Sequence, residues 1–185
     1  MVKEALTEAE DKMKGAITAL ENDLGTIRTG RASPALVERL PVDYYGTPTP
    51  LKQVATLSVP ESRLITVQPF DPQIIKDIEK AIMASGLGLT PANDGKVIRL
   101  PIPPLTEDRR RDLVKLGKKI AEEVRVHIRN IRRDILEEAK KAQKSSHMTE
   151  DEAKKSHDEI QKLTDAYILK ADEIVKKKEA EITEI

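Results

Sequence analysis

Cysteine and tryptophan are both absent from this 185-residue chain, and aromatic residues of all kinds make up only 2% of it. Without cysteine there are no disulfides, no thiolate metal sites and no thiol nucleophile, which fits a reducing, cytoplasmic setting. No apolar run approaches the roughly 18–20 residues that a membrane span needs. The N-terminus, Met1-Val2-Lys3-Glu4, has no apolar core, so neither a signal nor a transit peptide is expected. Net charge is missing too: 32 Lys and Arg balance 32 Asp and Glu. That balance would argue against a nucleic-acid partner only if the charge were spread evenly.

Proline is missing from most of the chain. All 11 prolines lie between Pro34 and Pro104, and the flanks have none. Proline breaks helix interiors and suits turns and edge strands. The chain therefore reads as two helical flanks around a proline-rich insert. The expected units are residues 1–29 with 106–185, and residues 30–105. The charge follows the same division: −2 over residues 1–29, +1 over 30–105, +5 over 106–144 and −4 over 145–185.

In the first flank Leu6, Met13, Leu20 and Ile27 recur every seven residues, with Ile17 and Leu24 as a second row. This spacing predicts an amphipathic helix over about 3–28 that ends at Thr29-Gly30. A second helix starts behind Thr106 as N-cap and runs to about Lys144, with Leu113, Ile120, Val124, Ile128, Ile131 and Ile135 on one side. Residues 145–148 read as a tight turn. A third helix opens with a Thr149/Glu152 capping box and carries Ala153, Ile160, Leu163, Tyr167, Ala171 and Ile174. Three such helices should pack as an elongated, antiparallel-type bundle.

The insert reads as a small β/α/β domain. Residues 54–59 and 64–67 are β-branched runs bounded by Pro60 and Pro69. Residues 44–50 look like a turn. Asp71-Pro72 opens a short helix lined by Ile74, Ile75, Ile78 and Ile82, which Gly86 stops. Asn93-Asp94-Gly95 turns the chain into residues 97–100. The fold class is therefore α+β, a three-helix bundle with an inserted β/α/β domain. The two crossings, near 28–34 and 101–106, read as a double-stranded hinge. Its candidate residues are Thr29, Gly30, Ser33, Pro34, Pro103, Pro104 and Leu105, and an L- or V-shaped molecule is expected.

The +5 segment is not evenly basic. On a helical wheel Arg111, Lys115, Lys118, Arg125, Arg129, Arg132 and Lys140 fall opposite the apolar side, with Arg133 beside them. Glu122 and Leu136 alone interrupt the row. Arg28 and Arg31 lie near the hinge. Phosphate binding explains such a row, because the arginine fork matches phosphate geometry. A solvated face, or one neutralised by the acidic third helix, explains it as well. With few aromatics to stack on bases, contacts to RNA would be to backbone and shape.

Catalytic and metal motifs are missing. His127, His147 and His157 have no partner at metal-ligand spacing, and His127 reads as a buried or half-buried structural residue. Ser156-His157-Asp158 holds triad letters, but neighbours on a helix point about 100° apart and cannot form a relay. No enzyme is expected.

Several segments resemble bacterial ribosome recycling factor. They are Arg28-Thr29-Gly30-Arg31-Ala32-Ser33-Pro34, Asp43-Tyr44-Tyr45-Gly46-Thr47-Pro48-Thr49-Pro50 and Glu79-Lys80-Ala81-Ile82, followed by Pro103-Pro104-Leu105-Thr106-Glu107-Asp108-Arg109-Arg110, Arg129-Asn130-Ile131-Arg132-Arg133-Asp134 and Gln161-Lys162-Leu163-Thr164-Asp165. The resemblance implies an L-shaped, tRNA-like factor that acts on the 70S post-termination complex. It implies binding to large-subunit rRNA across the A and P sites, and subunit splitting with elongation factor G, which uses the GTP. By that resemblance the RNA contacts are Arg129 and Arg132, with Arg28 and Arg31 in support. The neighbouring Arg125, Arg133 and Lys118 complete the candidate set. The implied protein is a cytoplasmic monomer with no cofactor of its own, no DNA partner and no membrane partner. A helical adaptor that binds a protein through its bundle is the alternative.

Overall fold

The computed structural model describes residues 2–146 and 148–184. The chain divides into two compact units, one of residues 1–24 with 112–185 and one of residues 25–111.

The first unit is all helix: α1 (Val2–Gly25), α4 (Glu107–Ser146, whose first residues belong to the second unit) and α5 (Glu150–Thr183). At ~1.5 Å per residue, α4 is about 60 Å long. Contacts between the helices fix their directions. Glu4 and Glu8 share a cavity wall with Glu138, while Asp23 shares one with Ile120, so α1 and α4 run antiparallel. Arg125 reaches Asp172 and Arg132 reaches Gln161, so α4 and α5 do the same. Tyr167 on α5 hydrogen-bonds Glu10 on α1 at 3.4 Å.

The buried seam is Met13, Ile17, Leu20 and Leu24 from α1, and Leu113, Val124, Ile128, Ile131 and Ile135 from α4. Each such side chain, once buried, stabilises the fold by about 1.5–3 kcal/mol. On α5 the buried row is Ser156, Ile160, Thr164, Tyr167, Ala171, Val175 and Ile182. The sevenfold row read from the sequence missed Ser156 and Thr164 because they are polar. Thr164 escapes the burial penalty by donating to the Ile160 carbonyl at 2.8 Å. The capping box at Thr149/Glu152 is present in both directions. His147, placed in the α4–α5 turn by the sequence, lies outside the described residues.

Two sequence expectations need correction here. The first helix ends at Gly25, not at Thr29-Gly30. Gly25 already belongs to the second unit, where an added Cβ would sit 3.3 Å from Ala35 Cβ. His127 is exposed instead of buried or half-buried. It stands on the wall of an open groove between α1 and α4, where Gly15, Ala16 and Ala19 are too small to close over it.

The second unit contains more strands than the sequence suggested. A hairpin of β1 (Pro41–Tyr44) and β2 (Thr47–Pro50) leads into one helical turn, α2 (Leu51–Val54). Then β3 (Ala55–Glu61), β4 (Leu64–Pro69), β5 (Ala92–Asn93) and β6 (Ile98–Pro101) form an antiparallel sheet in the order β3-β4-β6-β5. Between β4 and β5 comes α3 (Ile75–Ala84), entered through a 3-10 turn at Pro72–Ile74 that Asp71 caps.

The segment 47–50, read as a turn, is thus a strand. Pro48 and Pro50 are tolerated because a two-stranded ribbon consists only of edges, where a missing N–H leaves no gap in a ladder. The real turn is Tyr45-Gly46, with φ at 49° and 86°, the left-handed pair that a tight hairpin needs. Pro60 lies inside β3, where the register shifts between Ser58 and Glu61, a bulge on an edge strand. Alternation sets the core face: Ile65 and Val67 on β4, and Ile98 and Leu100 on β6, point inward to meet Ile74, Ile78 and Ile82.

Candidate nucleic-acid interface

One face of α4 repeats at three- and four-residue steps: Arg111, Lys115, Lys118, Glu122, Arg125, Arg129, Arg132, Leu136, Lys140. These steps return to the same side of a helix. The row holds seven cations and one acid over about 44 Å at ~1.5 Å per residue.

The partners of each cation differ. Arg125 is half-buried and doubly paired, to Glu122 at 3.2 Å and to Asp172 of α5 at 3.0 Å. Arg129 is exposed and shares Glu122 at 3.5 Å. Arg132 is half-buried and donates to a neutral group, the Gln161 amide oxygen, at 3.1 Å. The Gln161 amide nitrogen in turn donates to Asp165 at 2.8 Å. This relay fixes the Arg132 guanidinium without cancelling its charge. Arg133 lies to the side, 3.7 Å from Asp134. Lys118 is exposed.

Among the described residues, the acidic helix meets the row with an ion pair at one point, Arg125. Exposed ion pairs of this kind contribute about 0–1 kcal/mol, so Glu122 is exchangeable for a phosphate at little cost. The sequence shows Glu122 only as an interruption of the row and gives Gln161, Asp165 and Asp172 no role beside it. Helix spacing shows Glu122 in the row, but only the packing of α5 on α4 brings the other three to the arginines.

Arg28 and Arg31 belong to the other unit. Arg28 is half-buried and runs beside the loop at Gly88, its Nη1 3.8 Å from where a Cβ would stand. Arg31 is exposed, and its backbone N–H donates to Thr29 Oγ1 at 3.3 Å.

The expected hinge residues also fall in the small unit, because both crossings are tied to its β3–β4 turn. Ala32 N–H donates to the Ser62 carbonyl and Ile102 N–H to the Arg63 carbonyl, each at 2.7 Å. Thr29 and Leu105 are buried. Ser33 caps the 3-10 turn Pro34–Leu36, and Pro103 and Pro104 are exposed. By contact, the small unit takes in residues 25–111, so the segments 28–31 and 103–106 lie at its margins, outside the tied positions Ala32 and Ile102. Thr106 caps α4, accepting the Arg109 N–H at 3.2 Å.

Among the described residues no group of three His, Cys, Asp or Glu is placed to hold a metal. No described helix is long and apolar enough to cross a membrane.

A family model described as ribosome recycling factor matches residues 20–183. The ribosome-recycling factor of Geobacillus sp. (strain WCH70) is 55% identical over 185 residues, all of both chains. A solution structure of a ribosome recycling factor covers 100% of this chain and 98% of its own, with 43% identity and a TM-score of 0.78. A model of the T. thermophilus ribosome recycling factor, with E. coli elongation factor G on the E. coli post-termination complex, matches over 98% of both chains at 49% identity and a TM-score of 0.69.

Proposed function

We propose a mechanism that proceeds from one premise: the chain belongs to the ribosome recycling factor family. Its function is ribosome recycling after translation termination, and its partners are the ribosome and elongation factor G. The adaptor alternative, with a protein and no RNA on the bundle, is disfavoured by that membership.

In the mechanism, α4 anchors the factor to large-subunit rRNA through Arg129 and Arg132. Arg125, Arg133 and Lys118 lie along or beside the same face, and Arg28 and Arg31 add contacts from the small unit. The observation that carries this assignment is the Arg132–Gln161–Asp165 relay, which holds a cation in place while leaving it charged. Arg125 contributes less, since RNA must compete with Asp172 for it.

The proline-free helices supply stiffness, and the crossings at 28–34 and 101–106 supply rotation. Elongation factor G, hydrolysing its own GTP, moves the small unit, and the rod carries force to the intersubunit bridges. The chain itself performs no bond chemistry, takes no cofactor, and works as a cytoplasmic monomer with no DNA or membrane partner.

The test is ribosome co-sedimentation across a salt series. Arg132→Ala is expected to weaken large-subunit binding by roughly 1–3 kcal/mol and to flatten the salt slope by about one unit. Arg125→Ala is expected to do less. Binding and slope unchanged in Arg132→Ala would remove α4 from the interface.

A further inference from the structure

Three of the four aromatic side chains are exposed on the small unit: Tyr44 and Tyr45 in the hairpin, and Phe70 next in sequence to the Asp71 that Tyr45 reaches. Tyr45 is 67% exposed and Phe70 68%. Tyr44 meets Tyr45 edge to face, with ring centroids 4.9 Å apart. A chain this poor in aromatics would be expected to bury them, since each ring carries a large apolar area. Leaving them together in solvent marks a contact surface.

The backbone is committed to the same arrangement. Tyr45 sits at φ 49°, a region that a bulky side chain avoids. An outlier of this kind points toward function. The ring is tethered as well: the Tyr45 hydroxyl donates to Asp71 and lies 3.5 Å from Gln73 Oε1. Asp71 is fixed in turn by the Gln73 N–H at 2.9 Å, and it directly follows Phe70.

The charge around the rings is opposite to that of the α4 row. Asp43 lies in the turn, accepting the Gly46 N–H at 2.7 Å. Asp71 touches Tyr45, and Asp77 in the first turn of α3 adds its field at the Tyr45 phenol. Lys76 is the one cation within segments 43–46 and 70–77. These hydrogen bonds are made to ionised carboxylates, so the negative charge remains. Such a field repels phosphate. Aromatic faces beside carboxylates suit a guanidinium, which stacks on the ring and donates to the acid at once.

We infer that Tyr44, Tyr45 and Phe70, flanked by Asp43, Asp71 and Asp77, dock a basic, arginine-bearing segment of a protein. The inference rests on the recycling reading only for where that partner is met, in the post-termination assembly. The chemistry of the surface stands by itself.

The experiment uses the full chain with purified post-termination ribosomes, elongation factor G and GTP. A benzophenone amino acid replaces Gln73, which keeps the backbone N–H that Asp71 holds. The expected crosslink is to a protein, at a peptide that carries arginine and a net positive charge. A crosslink to rRNA or to a neutral or acidic peptide overturns the inference, as does no crosslink while splitting proceeds.

The double variant Tyr45→Ser, Phe70→Ser alters only exposed side chains. It is expected to split ribosomes at least tenfold more slowly, with large-subunit binding within twofold of the unaltered chain. Asp77→Lys, which leaves every ring in place, is expected to slow splitting at least fivefold. Normal rates in both variants overturn the inference. Failure of the recycling reading would look different, because then the unaltered chain would not split ribosomes.

Discussion

In the bundle, stability comes from repetition. Leucine and isoleucine rows recur along three helices, proline is absent, and a reciprocal capping box starts α5. In the small unit every turn has its own device: a left-handed Tyr45-Gly46 pair, a capping Asp71, a bulge beside Pro60, and the Asp94 carboxylate that ties the turn into β6. The surfaces differ in the same way. The bundle presents a long row of cations, and the small unit presents aromatic rings among carboxylates. The α4 row suits a ligand of negative charge, and the ring surface suits one of positive charge. The zero net charge of the chain arises mostly inside the bundle, where +5 over 106–144 stands against −2 over 1–29 and −4 over 145–185.

The largest effect expected from that division is mechanical. If the units work as separate parts, tying the crossings together should stop the work without loosening the anchor. The chain has no cysteine of its own, so one cysteine introduced in 28–31 and one in 103–106 can be crosslinked selectively. Subunit splitting, followed by light scattering with elongation factor G and GTP, is expected to be abolished while ribosome binding persists. Reduction should restore it if a reversible linker is used. Splitting at the normal rate in the crosslinked protein would defeat the division of labour.

The next effect is thermodynamic. Ile128, fully buried in the bundle seam, should cost about 2–5 kcal/mol when cut to alanine. Hydrogen exchange can show where the loss falls. Amides of α5 are expected to lose protection, while those of β4 and β6 keep it. Equal loss in both units would mean that they unfold as one cooperative body.

The bundle was the more legible unit in the sequence, since helix periodicity repeats often enough to be read from Leu, Ile and Val alone. Even there polar core positions were invisible. Ser156 and Thr164 are buried because α5 is packed all along that side, not because of their chemistry. The small unit was read correctly where one residue carries a local rule, as at Asp71-Pro72 and Asn93-Asp94-Gly95. It was misread at 47–50, where proline suggested a turn and strand pairing prevailed. The cationic row was legible as a row. Which arginines are neutralised was not, because that depends on Asp172 and Gln161, 47 and 29 residues along the chain from Arg125 and Arg132.

The smallest expected effect separates the units by pH. In the turn before β6, the backbone N–H groups of Val97 and Lys96 and the Arg99 guanidinium hold the Asp94 carboxyl at about 2, against its usual 3.8. The Tyr45 hydroxyl, and then the Gln73 N–H, lower Asp71 as well. A carboxyl depressed in the folded state contributes stability that is present above the unfolded value and lost as pH falls through the folded one. For Asp94 that window runs from near 4 down to about 2. In the bundle, among the described residues, Glu152 is lowered by the Thr149 backbone N–H first and its hydroxyl second, at a helix end remote from the main seam. Acid is therefore expected to loosen the Asp94 turn of the small unit, with the Gly95 and Val97 amide signals moving in that window. Asp94→Asn keeps an acceptor oxygen but cannot titrate, so the movement of those signals should vanish. If it survives unchanged in the asparagine variant, the acid sensitivity of this turn has another origin.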